Sequence, residues 1–269
     1  EYEGVDIIPS STLMSSVEFE LFSNLIQDKN LTLKFDIDGV KEVNSKFFNT
    51  LKNTYAFFEM YANTDEIDPR EFEVEYKDLE DIDKWLLSKY NNLVINVTEQ
   101  MDAYDLNKVT HLIQDFVCDD LSNWYIRRNR RRFWGSKLDN SKKAVYKTTY
   151  DVLVGICKLI APICPFTSEE IYRNLTGEES VHLAEFPLEN TDLINEVVEE
   201  RMDLVRDVCS LGRFAREEVN IKVRQPIQSL ILPKSDEMII GDLLPVITEE
   251  LNVKEVMFKD DMTEYLEYV

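Results

Sequence analysis

The residues with the clearest chemical potential lie in one stretch, Asn123 to Trp134, which reads NWYIRRNRRRFW. Between Leu121 and Tyr150, nine basic residues stand against one acid, Asp139, although the whole chain carries a formal charge of −22. Arg and Lys side chains bind phosphate oxygens, and aromatic rings set among them can stack on unpaired bases. This basic island therefore predicts a contact with RNA or DNA.

The apolar stripe of the helix that leads into the island divides its arginines into two groups. At about 100° per residue, Arg127, Arg131 and Trp134 continue that stripe, whereas the other arginines lie to either side. Arginines in line with a buried stripe more often pair with acids, because an unpaired buried charge is very costly. We therefore expect the flanking Arg128, Arg130 and Arg132 to be the better RNA contacts. The candidate RNA-binding residues of the island are Arg127, Arg128, Arg130, Arg131, Arg132, Trp134, Lys137, Lys142, Lys143 and Lys147.

Other interpretations of these side chains stay open. Lys142, Lys143 and Lys147 fall in the first turns of the next helix, where positive charge opposes the helix dipole; phosphate binding would explain them, and so would simple solvation. Tyr125 and Tyr146, like Trp134, could stack on bases, but aromatic residues also commonly pack in a core.

The composition bounds the class of protein. Of the 269 residues, 44% are hydrophobic and 30% charged, as in an ordinary globular protein of one or two domains. No apolar run has the length of a membrane span, and the start, EYEGVDIIPS, lacks a basic region followed by an apolar block, so we expect a cytoplasmic protein. The strong negative charge repels nucleic acid at long range, so any binding must overcome it locally.

Metal and catalytic sites are not expected. The sequence does not favour a structural zinc site, because the chain has only two His and its four Cys show no C-x-x-C spacing. The four Cys are Cys118, Cys157, Cys164 and Cys209. No G-x-G-x-x-G or G-x-x-x-x-G-K-[ST] loop occurs to cradle a nucleotide. His182 lies in an extended segment without a nucleophile pattern, which favours a structural role.

Helical spacing of apolar residues predicts a mainly α chain, followed by a smaller αβ segment. Residues 1–34 have no assignment, residues 35–220 are expected to form a helical bundle, and residues 221–269 a partial αβ domain, with a boundary near Asn220. In the latter, strands at Ser229–Pro233 and Val253–Phe258 flank one helix, which is a βαβ-like pattern. Two of the predicted helices begin near Asp38 and at Thr191. The others run from about Asp81 to Met101, Asp105 to Gly135, Ser141 to Ala161, Thr167 to Leu175 and Asp236 to Leu251.

Several stretches carry a resemblance to a known family. NWYIRRNRRRFW and LIAPICPFTSEEIYRNL resemble two landmarks of the C-terminal, anticodon-binding region of class I aminoacyl-tRNA synthetases. These two also fit the valine and leucine tRNA ligases. The segments SVHLAEFP, IKVRQPIQSL and ELNVKEVMF are more similar to the isoleucine tRNA ligase family, and Phe35 to Phe58 resembles the stretch where its catalytic domain joins the bundle.

The resemblance implies a bundle that docks the anticodon stem-loop, followed by a small αβ domain. It implies a parent enzyme that attaches isoleucine to its tRNA with ATP and Mg²⁺, and it adds Lys222 and Arg224 as secondary RNA-binding candidates. The H-I-G-H and K-M-S-K-S motifs are absent, so we expect a catalytically inactive fragment without a cofactor. We expect tRNA as its partner, no DNA or membrane, and a monomer.

A second hypothesis comes from the charge alone. The chain could be an acidic helical scaffold for protein interaction, in which the arginine run pairs internally with some of the 52 acids. In that case, Arg to Ala substitutions would unfold the domain rather than weaken RNA binding.

Overall fold

The first part of the chain is a bundle of helices, as the sequence predicts. The computed structural model describes residues 37–263, so the unassigned segment 1–34 lies outside the described residues. Two π-helical segments, Asn44–Phe48 and Phe116–Ile126, continue directly into the helices that follow them. The α-helices are α1 (Ile37–Val43), α2 (Asn49–Thr64), α3 (Asp81–Asp102), α4 (Leu106–Asp115), α5 (Arg127–Trp134), α6 (Asn140–Ile160) and α7 (Pro165–Thr176).

Local capping explains where these helices begin and end. The Asp105 carboxylate accepts a hydrogen bond from the Lys108 amide at the start of α4 (3.1 Å), and Asp139 accepts one from Lys142 at the start of α6 (2.8 Å). At the other end of α7, Gly177 takes a left-handed conformation with φ 72°, which glycine adopts without steric cost. The predicted bounds of these helices are therefore confirmed to within a residue or two.

Large aromatic residues fill the core of the bundle. Trp85, Tyr125, Phe133 and Tyr146 are fully buried, and the rings of Phe133 and Tyr146 meet edge to face with centroids 4.9 Å apart. Gly155 of α6 faces the Tyr90 hydroxyl so closely that a Cβ would collide with it. This glycine therefore lets α3 and α6 approach each other.

The second part of the chain is the predicted βαβ unit preceded by a long helix. The two strands are parallel, with Ile227 opposite Val253 and Pro233 opposite Lys259. The connection between them is not the single predicted helix, because Gly241 has φ 48° and Pro245 opens a new helix after a 3₁₀ turn. The elements are α8 (Glu196–Glu218), β1 (Ile227–Pro233), α9 (Asp236–Ile240), α10 (Leu244–Leu251) and β2 (Val253–Lys259).

The position of α8 differs from expectation in two respects. Thr191 lies in a 3₁₀ turn, and the helix begins only at Glu196, where the Asn195 side chain accepts a hydrogen bond from the Val198 amide (3.2 Å). The described chain divides into two compact units between Ile194 and Asn195, so α8 is grouped with the αβ segment rather than with the bundle. The reason is its packing against α9 and α10. No helix in residues 37–263 is long and apolar enough to cross a membrane.

Candidate nucleic-acid interface

The π-helical segment changes which face of the following helix is buried. In a π-helix the hydrogen bonds run from i to i+5, so each residue turns through a smaller angle than in an α-helix. After the eleven residues of Phe116–Ile126, the buried stripe therefore continues to Asn129 and Phe133. The prediction that Arg127, Arg131 and Trp134 lie on the buried stripe is wrong for this reason.

Within α5, which is a regular α-helix, four side chains share one solvent-exposed face. Arg127, Arg130, Arg131 and Trp134 are spaced i, i+3, i+4 and i+7, and all four are exposed. Trp134 is 55% exposed, whereas Trp85 and Trp124 are buried. We use the term exposed strip for Arg127, Arg128, Arg130, Arg131, Trp134 and Lys137.

Two arginines of the exposed strip contact the buried Trp124. The guanidinium groups of Arg127 and Arg128 lie 6.0 and 5.8 Å from its ring centroid, within the range of a cation–π interaction. Arg127 Nε also donates a hydrogen bond to the Asn123 carbonyl (2.8 Å). Within the exposed strip, Arg128 is half-buried, and Lys137 is exposed in the turn after α5. With these contacts in place, Arg127 is still exposed and Arg128 is partly exposed.

Arg132 is not the exposed flanking residue that the sequence predicts. Its side chain is only 13% exposed and forms a bidentate ion pair with Asp83, with both N···O distances 2.8 Å. The Asp83 side chain is fully buried. The physical reason is the shifted helix phase, which turns Arg132 toward the start of α3.

The Asp83–Arg132 pair is the centre of a polar network that joins three helices. Tyr125 donates its hydroxyl to Asp83 Oδ1 (2.6 Å), and Arg132 Nε donates to the Ser141 hydroxyl at the start of α6 (2.9 Å). The Glu80 amide donates to Asp83 Oδ2 (3.0 Å), which caps α3. Tyr125 is therefore a structural residue and cannot stack on a base.

The charges of this network stabilise each other. Burial lowers the pKa of Arg132, but the hydrogen bonds and negative charge of Asp83 outweigh burial and raise it above its ordinary value. Burial and the same negative charge raise the pKa of Tyr125. Tyr125 is thus a neutral hydroxyl donor and Arg132 a cation at all physiological pH values.

Lys142 is buried in a second cluster. Its ammonium group pairs with Asp65 Oδ2 (2.7 Å) and donates to the Gly135 carbonyl, and Tyr146 donates its hydroxyl to the same carboxylate oxygen (2.7 Å). Burial raises the pKa of Asp65, but the hydrogen bonds from Lys142 and Tyr146 outweigh this and lower it overall. Neither Lys142 nor Tyr146 is therefore available to RNA. The prediction of Lys142 as an RNA contact is wrong, whereas Tyr146 follows the alternative of a core aromatic residue.

The remaining candidate lysines differ in their surroundings. Lys143 lies over the Phe72 ring, with 5.8 Å from Nζ to the centroid, and is half-buried. Lys147 is half-buried and pairs with Asp151 (2.6 Å). Lys222 and Arg224, in the turn before β1, are exposed.

Other side-chain chemistry on the described chain is sparse. Among residues 37–263, no group of three His, Cys, Asp or Glu side chains could hold a metal ion. In the same range no disulfide forms, with Cys157, Cys164 and Cys209 buried and Cys118 half-buried. His182 is exposed in a 3₁₀ turn, and Ser180 caps that turn by accepting a hydrogen bond from the His182 amide (3.1 Å).

Comparison with known proteins gives consistent matches. Residues 83–231 match the family model of the anticodon-binding domain of tRNA ligase. The chain is 44% identical over 237 residues to the isoleucine–tRNA ligase of Bacteroides thetaiotaomicron, which covers 85% of this chain and 20% of that protein. It is 42% identical over 233 residues to the Porphyromonas gingivalis enzyme of the same name (85% and 20%). It is 43% identical over 248 residues to that of Clostridium novyi (88% and 23%).

Two facts follow from these matches. The chain spans about a fifth of the length of the curated relatives that it matches. The family model covers more than half of the chain, including α5 and the whole exposed strip. The chain belongs to the family of anticodon-binding domains of tRNA ligases.

Proposed function

We propose that this chain docks the anticodon stem-loop of an isoleucine-accepting tRNA, with the exposed strip of α5 as its main contact in the bundle. The observation that carries the proposal is the strip itself. Five cations and one exposed indole project from a short helix and the turn after it, on a chain whose formal charge is −22. Lys222 and Arg224 are proposed as a further contact in the second unit.

The chemistry of the exposed strip suits an RNA loop. The arginines and Lys137 can hold backbone phosphates and release their condensed counterions, which makes binding strongly dependent on salt. Trp134 presents a ring face on which an unpaired base can stack. Arg132 and Lys142 are left out of the proposed contact set because they are buried and paired with carboxylates.

The proposed parent protein is an isoleucine tRNA ligase that uses ATP and Mg²⁺ and works in the cytoplasm. The names of the relatives support isoleucine rather than valine or leucine. We expect the chain by itself to be a monomer that binds tRNA, without catalytic activity and without a cofactor of its own.

A salt titration of tRNA binding tests the role of the exposed strip. Binding of an isoleucine tRNA transcript to the wild-type chain is compared with binding to Arg130→Glu by filter retention at several salt concentrations. We expect Arg130→Glu to lower the affinity about tenfold or more. Its plot of log K against log [salt] should also be less steep, with the magnitude of the negative slope reduced by about 1.

Lys108→Glu is the matched control. Lys108 is exposed on α4, 22 residues before Arg130 on the same continuous helical stretch and therefore about 30 Å from it along the axis. It should leave the salt slope unchanged. Equal losses for both variants would mean that only overall charge matters, and no loss for either would exclude the strip as the contact.

One observation favours the alternative of a protein-interaction scaffold. Arg132 and Lys142 pair with Asp83 and Asp65, as that hypothesis requires of the whole arginine run. If it applied to the exposed strip as well, Arg130→Ala would lower thermal stability and leave tRNA binding unchanged.

A separate competition experiment with valine and leucine tRNA transcripts distinguishes general RNA affinity from recognition of the isoleucine tRNA.

A further inference from the structure

Arg216, near the end of α8, is a buried cation whose hydrogen bonds all go to main-chain carbonyl oxygens. Its side chain is almost completely buried. Nη1 donates to the carbonyls of Lys222 (3.1 Å) and Gln225 (2.9 Å), and Nη2 donates to those of Leu251 (2.5 Å) and Asn252 (3.3 Å). Among the described residues, no carboxylate forms an ion pair with it.

The end of α10 explains how this charge is accommodated. Leu251 is the last residue of α10, and Asn252 caps the helix in a left-handed conformation with φ 47°. The last carbonyls of a helix lack intrahelical partners and carry the negative end of the helix dipole. Arg216 therefore occupies a position where a cation is favoured without an acid.

The same guanidinium group determines the shape of the loop Lys222–Gln225. Two of the four carbonyls of this loop accept from Arg216, and the Val223 carbonyl accepts from Asn252 Nδ2 (3.0 Å). The Gln225 amide closes the turn on the Lys222 carbonyl (2.9 Å). The carbonyls of Lys222, Val223 and Gln225 thus accept hydrogen bonds from Arg216 and Asn252, while the side chains of all four loop residues, including those of Lys222 and Arg224, are exposed.

We infer that Arg216 is a positioning residue that preforms the loop Lys222–Gln225 as a second phosphate-binding contact for tRNA. This inference rests on the proposed function, because the RNA is the ligand in both. Arg216 does not touch the RNA. It holds the loop in one conformation, so that Lys222 and Arg224 bind phosphates without the entropic cost of ordering the main chain.

A double-mutant cycle on the full chain tests whether Arg216 acts through these two cations. Affinity for the isoleucine tRNA transcript is measured for wild type, Arg216→Met, Lys222→Gln/Arg224→Gln and the triple variant. We expect Lys222→Gln/Arg224→Gln to reduce the magnitude of the negative slope of log K against log [salt] by about 2. Arg216→Met should weaken binding about tenfold in the wild-type background and less than twofold when the two cations are absent.

A merely structural role gives a different pattern. Arg216→Met would then weaken binding by the same factor in both backgrounds, and this result would overturn the inference. If Arg216→Met does not fold, Asn252→Gly replaces it: glycine keeps the left-handed conformation and loses only the hydrogen bond to the Val223 carbonyl. It should weaken binding in the wild-type background alone.

The inference and the proposed function fail in distinguishable ways. If Lys222→Gln/Arg224→Gln leaves the affinity and the salt slope unchanged while Arg130→Glu lowers both, the loop is not a contact and the exposed strip still is. If Arg130→Glu has no effect while the loop variants follow the expected cycle, the strip is wrong and the inference about Arg216 stands. If the wild-type chain shows no binding that depends on salt, both fail.

Discussion

Arg132 in the bundle and Arg216 in the second unit are both withdrawn from solvent, but their charges are compensated differently. Arg132 forms a bidentate pair with the fully buried Asp83, so the net charge of the pair is zero. Arg216 has four carbonyl partners, and its positive charge is not cancelled by an acid. The first arrangement fixes a helix, whereas the second fixes a loop.

Because their partners differ, the two arginines contribute differently to the electrostatic potential of the nearby surface. The Asp83–Arg132 pair contributes little to the potential at the exposed strip, which must come from the solvent-facing cations of α5. The charge of Arg216 adds to that of Lys222 and Arg224, because dipoles orient around a cation without neutralising it. Depending on its partners, a buried arginine can therefore either form a neutral ion pair that holds two helices together or add its positive charge to the electrostatic potential of the surface.

Removing Arg132 from its ion pair with Asp83 should lower the stability of the fold more than removing Arg216 from its carbonyl partners. Arg132→Met leaves the Asp83 carboxylate buried without its counter-ion, and we expect the free energy of unfolding to fall by about 3–5 kcal/mol. Urea denaturation measures this change. The double variant Asp83→Leu/Arg132→Met should recover part of the loss, because it removes both charges but leaves the Tyr125 hydroxyl and the Glu80 amide without their acceptor. If Arg132→Met lowered the free energy of unfolding by less than about 1 kcal/mol, the Asp83–Arg132 pair would not be what holds α3 and α5 together.

The same substitution at Arg216 should cost less. Arg216→Met leaves neutral carbonyls rather than a charge, and those of the exposed loop can turn to water, so we expect a loss of about 2–3 kcal/mol in the free energy of unfolding. The measurement is urea denaturation under the same conditions. If the two substitutions destabilise the chain equally, the distinction between carboxylate and carbonyl partners has no energetic meaning.

A smaller effect is expected for the exposed indole, and here the readout is binding. Trp134→Ala removes a stacking surface for one base and should weaken tRNA binding by about 1–2 kcal/mol, with less than about 0.5 kcal/mol change in stability. Phe133→Ala, at the neighbouring buried position, should instead destabilise the fold by about 3–5 kcal/mol. Similar unfolding profiles for the two variants would show that Trp134 is part of the core.

The fold follows from the sequence wherever the signals are local. Asp105 and Asp139 are N-cap residues, Gly177 ends α7, and the change from helical to strand periodicity predicts the parallel pair β1 and β2. Each of these features is encoded within a few neighbouring residues. The two strands could also be predicted from their short apolar runs alone, without knowledge of the strand with which each one pairs.

The division of the basic island into exposed and buried residues did not follow from the sequence. A helical wheel drawn at constant angle cannot include the π-helical segment Phe116–Ile126, whose residues look like those of any apolar helix. The partner of Arg132 is Asp83, 49 residues earlier. The capping box of Glu80 and Asp83 at the start of α3 is a local signal that could have marked this acid as structural. Charge counting alone could not find such a pairing.

The smallest effect should depend on pH. The carboxylate of Asp65 can be protonated, whereas the carbonyl partners of Arg216 cannot. Because the folded-state pKa of Asp65 is lowered, its stabilising contribution is present above the ordinary Asp value of about 3.9 and is lost as the pH falls through the depressed pKa. We expect Asp65→Asn to lower the free energy of unfolding by about 1 kcal/mol at pH 7, with the difference from wild type closing below about pH 4.

Asn252→Gly supplies the control for this measurement, because its amide hydrogen bond to the Val223 carbonyl does not titrate. Its difference from wild type should stay constant between pH 7 and the acid limit of folding. Urea denaturation at a series of pH values measures both differences. If the differences of both variants from wild type stayed constant with pH, the Lys142–Asp65 pair, which joins the start of α6 to the end of α2, would not be maintained by ionisation. The contrast between titratable and non-titratable partners would then apply only to the Asp83–Arg132 pair.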